Sequence, residues 1–328
     1  MPDILSLATT NLVSPVILCF ALGLIAALAR SDLSVPEAAA KALSIYLLFA
    51  IGFKGGVSLE GYGFDLRLFI TLLAGAALSA LLPIVAFALL RLLTKLDSLN
   101  AAAVAAHYGS ISIVTFVAAT SVLESFGFSS EGYMVAVAAI MEAPAIISAL
   151  WLVTRSKKPV QQEQRMDANL WREILLNGSI VLLLGSFAIG LITGEQGLKE
   201  IESFIVSPFK GVLCLFMLDM GLVAGRSLRQ SKRFITPGLL AYGVAMPLIS
   251  ASIGLPIAYL LGLSIGGSML LMVLCASASY IAVPAAMRVA LPEADPGVYL
   301  TLSLGITFPF NLTIGIPLYL AMAQSLIS

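Results

Sequence analysis

Ten apolar runs follow one another along this chain, at 12–29, 42–59, 66–93, 99–123, 131–153, 174–193, 204–225, 236–262, 267–291 and 297–325. Crossing the hydrocarbon of a bilayer as a helix takes about 20 apolar residues, and each run reaches that length. In 328 residues they leave only short connections and no room for a separate soluble domain. The predicted fold is therefore all-α and polytopic, with about ten transmembrane helices. Composition agrees: 59% of the residues are apolar and 11% charged, whereas soluble domains average about 45–50% and ~25%. The last two runs contain Pro284, Pro309 and Pro317, so kinks or breaks are expected there, lining a cavity or buried in protein.

Charge excludes one class of partner and sets an orientation. Eighteen basic and eighteen acidic side chains cancel, which removes the basic footprint of a nucleic-acid binder. With the N-terminus outside, the inside connections hold Arg30 and Lys41; Arg91 and Lys95; Arg155, Lys157, Lys158, Arg165 and Arg172; Arg226, Arg229, Lys232 and Arg233; and Arg288. Only Lys54, Arg67, Lys199 and Lys210 remain outside. The positive-inside rule thus puts both termini on the non-cytoplasmic side of an inner, or plasma, membrane. The Ala27-Leu28-Ala29 segment resembles a signal cleavage site, but Asp3 and the absence of Lys or Arg before it argue against a signal peptide. Cys19, Cys214 and Cys275 lie in apolar runs without CxxC spacing and are read as small packing residues.

The only polar stretch of any length, Arg155 to Arg172, divides the chain nearly in half. A shift of 169 residues lays Gly52-Phe53-Lys54-Gly55-Gly56-Val57-Ser58-Leu59 over Gly221-Leu222-Val223-Ala224-Gly225-Arg226-Ser227-Leu228. It also matches Val104 to Val273, Ser110 to Ser279, Val114 to Val283 and Glu124 to Glu293. The expected organisation is a five-helix repeat at 1–153, a cytoplasmic linker at 154–172 and a second five-helix repeat at 173–328. An odd number of spans forces the second copy to insert inverted. Inverted repeats are the architecture of secondary transporters, whose sites lie near the midplane where the repeats meet.

Two matched segments carry the candidate site: Gly109-Ser110-Ile111-Ser112-Ile113-Val114-Thr115 and Ser277-Ala278-Ser279-Tyr280-Ile281-Ala282-Val283-Pro284. Small residues admit a ligand close to the backbone, hydroxyls replace hydration, and a helix break frees N–H groups that favour an anion. Small residues and serines also simply let helices pack closely in lipid. Asp219 and Glu142 lie inside apolar runs, where a carboxylate is a functional candidate by default, for a cation or a proton. His107 is the single histidine; a hydrogen bond within the bundle is its simplest role, with a place near a substrate or proton path as the other. Lys54 either pairs with one of the two carboxylates or, the preferred reading, snorkels to the interface. The pairs Gly52/Gly56 and Gly221/Gly225 read as close helix packing. With no GxSxG elbow around Ser110 and Ser112, an enzyme is not expected.

Several segments together resemble the sodium-dependent bicarbonate transporter family of cyanobacterial type. Pro284-Ala285-Ala286-Met287-Arg288-Val289-Ala290-Leu291-Pro292-Glu293-Ala294-Asp295-Pro296-Gly297-Val298-Tyr299 is similar to the family's pattern of Pro, Arg, Ala, Pro, Ala, Pro and Tyr at the same spacings. Thr307-Phe308-Pro309, Gly315-Ile316-Pro317-Leu318-Tyr319-Leu320, Met141-Glu142-Ala143-Pro144-Ala145 and Ile51-Gly52-Phe53-Lys54-Gly55-Gly56 resemble it too. The resemblance implies ten helices in two inverted repeats, a homotrimer, and sodium entry coupled to bicarbonate uptake. It implies substrate contacts from Gly109, Ser110, Ser112 and Thr115 and from Ser277, Ser279 and Tyr280.

The chain departs from the family at three points. Tyr280 stands where the family's serine run ends in aspartate, Ala282 replaces a serine, and Ile113-Val114 replace Gly-Ser. Fewer oxygens then face the site, so either Asp219 or Glu142 compensates, or the coupling ion differs, or the substrate has changed. The short central link also leaves little for a cytoplasmic regulatory protein to hold. No cofactor is expected beyond the coupling ion. The expected function is sodium-coupled uptake of bicarbonate or a similar small anion. The alternatives are a non-transporting sensor or scaffold and a proton-coupled organic-anion transporter on the same fold.

Overall fold

The computed structural model describes residues 9, 12–60, 66–156, 176, 178–230 and 235–327. Every regular element among them is helical: α1 Pro15–Leu28, α2 Glu37–Glu60, α3 Leu66–Leu93, α4 Ser98–Gly109, α5 Ile113–Ser125, α6 Met134–Ile140, α7 Pro144–Ser156, α8 Gly178–Ile205, α9 Phe209–Gln230, α10 Pro237–Leu260, α11 Ile265–Ala276 and α12 Ala282–Ala290. The last run is continuous from α13, Pro296–Leu300, through a widened π turn at Thr301–Thr307, α14 at Phe308–Phe310 and a second π turn at Asn311–Gly315, to α15 at Ile316–Ile327. Among the described residues, eight helical segments are long and apolar enough to cross a membrane. Two shorter apolar helices, α1 and α11, stand where the first and ninth spans were expected. The chain is a multi-pass membrane protein.

The span boundaries move where local chemistry overrides apolar content. The sixth run extends to Ile205, past Gly194, whose φ of 57° breaks the helical path and needs glycine. The fourth, fifth and ninth runs are each split, at 110–112, 141–143 and 277–281; the split in the fifth was not foreseen. The tenth carries Pro309 and Pro317 without breaking, each in an α segment that directly follows a π turn, since a widened turn re-satisfies backbone groups that proline leaves unpaired. The predicted linker at 154–172 lies outside the described residues from 157 onward.

Two helix groups pack side by side. In one, α1 packs along α9 and α2 along α8; the other gathers α3 to α7 with α10 to α15. Glycines set the first group's spacing. Gly52 and Gly56 of α2 face the Leu183 and Phe187 carbonyls of α8, and Gly221 and Gly225 of α9 face the Phe20 and Leu24 carbonyls of α1. These glycines are therefore packing residues, as expected: a Cβ would run into backbone at Gly56 and Gly221, into Ser186 and the Leu183 carbonyl at Gly52, and into Ala27 at Gly225. In the second group α4 lies against α3 and α7, and α11 against α10 and α15. Residues Ala101–Gly109 and Gly266–Ala276 are buried on every side, the mark of helices that touch no lipid.

The start of α4 shows how its position is held. Asp97 caps it, accepting from the Leu99 and Asn100 amides at 3.0 Å and from Asn100 Nδ2 at 2.7 Å. Asn100 Oδ1 in turn accepts from the Asp295 amide at 2.8 Å, tying α4 to the start of α13. Burial pushes the Asp97 carboxyl up, but the Asn100 side chain and the two amides outweigh it and hold it below the usual range. A depressed carboxyl adds stability that is present above its unfolded value, about pH 4, and is lost as pH falls through the folded value. Asp97→Ala is expected to cost about 1 kcal/mol. Thermal melts in detergent should show that loss at neutral pH and a smaller difference from the parent protein as pH falls.

Candidate functional site

The two broken runs cross each other at the centre of the second helix group. α4 ends at Gly109 and Ser110 is extended (φ −84°, ψ 167°); α11 ends at Ala276 and Ser277 is extended in the same way (φ −82°, ψ 162°). Both helices are 12 residues long with a side-chain N-cap, Asp97 or Ser264. They correspond at an offset of 167 residues, so Ser110 matches Ser277 and not Ser279. The 169-residue shift returns only after the breaks, because the second break, 277–281, is two residues longer than the first, 110–112.

Backbone groups freed by the breaks are satisfied across the crossing. The Ser279 amide donates to the His107 carbonyl at 2.7 Å. In the matching place, the Ser112 amide donates to Ser277 Oγ at 2.9 Å, and that hydroxyl donates to the Leu274 carbonyl at 3.0 Å. Ser277 is thus a strut between the two chain segments. Asn311 Nδ2 donates to the Ala276 carbonyl at 2.9 Å, with its own Oδ1 accepting from Tyr319 at 2.9 Å. Ser79 Oγ donates to the Met141 carbonyl at the split in the fifth run, at 2.5 Å. Inside a bilayer such bonds are obligatory, since each unsatisfied group costs several kcal/mol.

Beside the crossing lies a cleft of about 10 Å³ lined by Ile111, Ser112, Ile113, Glu142, Ser179, Ser279, Tyr280 and Ile281, room for one water or one small ion. Glu142, at the split between α6 and α7, is 5% exposed and its Oε2 has no hydrogen-bond partner among the described residues. Among the described residues, the other polar side chains in the lining are hydroxyls and none is a cation. Ser179 comes from α8, so the cleft lies where the two helix groups meet. Two larger cavities, of about 250 and 270 Å³, reach neither break nor Glu142. The small cleft is the candidate because it joins residues of both breaks to the buried carboxyl of Glu142.

Four of the expected site residues, Ser112, Ser279, Tyr280 and Glu142, therefore share one cleft. The others do not line it. A Cβ at Gly109 would strike Pro83 and Ala145, so this glycine serves packing between α4, α3 and α7. The Thr115 amide donates to the Ser112 hydroxyl at 3.2 Å as part of the α5 cap. Ser110 is fully buried, its hydroxyl unpartnered among the described residues. Asp219 is buried on α9, with Arg226 one to two turns on as its opposing charge. His107 keeps the simple role: its Nδ1 donates to the Ala103 carbonyl at 2.7 Å and its ring stacks on Tyr299 at 4.4 Å. Lys54 pairs with Glu124 at 2.9 Å and with neither buried carboxylate. Both side chains are part-exposed, and Glu124 lies near the end of α5. Sequence reading missed Asn311, Ser79 and Ser179. Asn311 carried a signal, as an amide in an apolar run between Pro309 and Pro317 and 169 residues after Glu142.

Against this geometry, the family model of the Na+-dependent bicarbonate transporter superfamily matches residues 15–324. The chain belongs to that superfamily. The match runs through both breaks, Glu142 and the π-turned last helix, so the crossing belongs to the part of the chain shared with this superfamily of membrane transporters. No curated protein matches the chain.

Proposed function

We propose that this superfamily member is a secondary transporter taking up bicarbonate or a similar small anion with sodium, and that the cleft at Glu142 holds the coupling ion. The observation that carries the reading is the meeting of a buried carboxylate, one of whose oxygens has no partner among the described residues, with the hydroxyls of Ser112, Ser179, Ser279 and Tyr280. An isolated buried carboxylate takes a cation or a proton. Hard oxygen donors without sulfur or imidazole suit a hard cation. Glu142 thereby supplies the charge that the family's aspartate supplies at the Tyr280 position. The cleft is too small for a carbonate-sized anion, so the anion binds when the two helix groups move apart.

The repeat is part of the same proposal: 1–153 and 173–328 are inverted copies, with both termini outside the cytoplasm. The cross-matched packing of α2 on α8 and of α9 on α1 supports it, as do the twin 12-residue helices α4 and α11. The test is uptake of labelled bicarbonate by proteoliposomes with an inward sodium gradient, potassium serving as control. Sodium-dependent uptake is expected, and Ser279→Leu should abolish it while leaving a monodisperse, cooperatively melting protein. Equal uptake in both salts, driven instead by a pH gradient, would transfer the site to proton coupling. Absence of uptake and of any ion-induced rise in melting temperature would leave the sensor or scaffold reading.

A further inference from the structure

The three cysteines differ once the chain is folded. Cys275 is buried in α11, whereas Cys19 and Cys214 are half-buried, and their sulfurs face each other across the seam between α1 and α9. That seam brings backbones together. Gly23 sits against the Leu218 carbonyl, Gly221 against the Phe20 carbonyl and Gly225 against Ala27, so the helices run parallel and in fixed register. Cys19 is one turn before Gly23 and Cys214 one turn before Leu218, which places the thiols beside the closest approach. A disulfide needs Cα atoms within about 7 Å. Helices held about 8–10 Å apart by ordinary side chains rarely offer that, and a glycine-lined seam does. Cys214 also lines, with Ser14, Pro15, Val16 and Ile17, a cavity of about 270 Å³ that admits a small reagent.

We propose that Cys19 and Cys214 form a redox-active thiol pair that closes to a disulfide between α1 and α9, with a small-molecule disulfide as oxidant. One cysteine thiolate attacks a sulfur of the oxidant, breaking its S–S bond and releasing one thiol. The second cysteine then displaces the other half from the mixed disulfide. Two S–H bonds are lost and one S–S bond is made; the cysteines are oxidised and the oxidant leaves as two thiols. Because α1 and α9 belong to the same helix group, the bond stiffens that group without joining it to the other.

The test uses the full chain in detergent, treated with oxidised glutathione and then cut by trypsin in the central link, where Lys157, Arg165 and Arg172 offer sites. The two halves are expected to migrate as one species without reductant and to separate with it. Cys19→Ser and Cys214→Ser should each abolish the link, and Cys275→Ser should keep it. Alkylation in denaturant provides a second count that does not depend on trypsin: all three cysteines react in the reduced protein, and only Cys275 in the oxidised one. Three reactive thiols after oxidation, a link that survives either substitution, or a link between two copies would each overturn the proposal.

Discussion

Glu142→Gln abolishes sodium-dependent uptake in proteoliposomes while the protein remains folded. Glutamine keeps the volume and a polar end but removes the only charge that the described residues bring to the cleft lining. A unit charge about 4 Å from a carboxylate at an effective dielectric near 20 gains about 4 kcal/mol, and every 1.4 kcal/mol is about tenfold in affinity. The coupling ion should therefore bind of the order of a thousandfold more weakly. Folding should survive, because the unpartnered Oε2 contributes no hydrogen bond to the fold and a neutral side chain is cheaper to bury. Glu142→Asp, which keeps the charge on a shorter stem, should retain uptake with altered sodium affinity. Parental sodium dependence in folded Glu142→Gln protein would remove Glu142 from the site and make Asp219 the next carboxylate to test.

Gly221→Leu prevents α1 from seating on α9, and the protein fails to give a monodisperse species or melts far below the parent. A Cβ at this position would fall on the Phe20 carbonyl and lie 2.8 Å from the Leu24 amide. Overpacking a core usually costs about 1–3 kcal/mol because side chains shift. Here the obstacles are backbone atoms of a packed helix, so the cost should exceed that range. Gly56→Leu, against the Phe187 carbonyl and the Leu191 amide of α8, should behave alike. Gly211→Ala is the control: a Cβ there meets nothing within 4 Å, and replacing a helical glycine by alanine gains roughly 0.5–1 kcal/mol. Normal melting of Gly221→Leu would mean that the α1–α9 seam is looser than the structure has it.

Much of the second helix group was legible because its signals are local. Serine at 112 caps α5 through its own hydroxyl, and Pro284 falls in the first turn of α12, where proline is tolerated, just after the break at 277–281. Glu142 was legible as a buried charge, but so was Asp219, and both lie in equally apolar runs. What separates them is which helix turns toward the crossing: the split at 141–143 delivers Glu142 to the cleft, whereas intact α9 does not deliver Asp219. The two-residue difference between the breaks was also hidden. A shift of 169 scores well on both sides, and only the equal lengths and caps of α4 and α11 reveal the slip between them.

The sequence by itself determined the solvent and the class of fold: apolar runs of spanning length place the chain in a bilayer, and a bilayer requires every such run to satisfy its backbone as helix. Only the tertiary structure decided which hydroxyls face the cleft. Ser277 and Ser279 look alike in sequence and both bind backbone, Ser277 Oγ at the Leu274 carbonyl and the Ser112 amide and Ser279 Oγ at the Val283 amide, yet only Ser279 lines the cleft. That division depends on how two broken helices cross, a long-range geometry fixed by packing and not by the residues' own preferences.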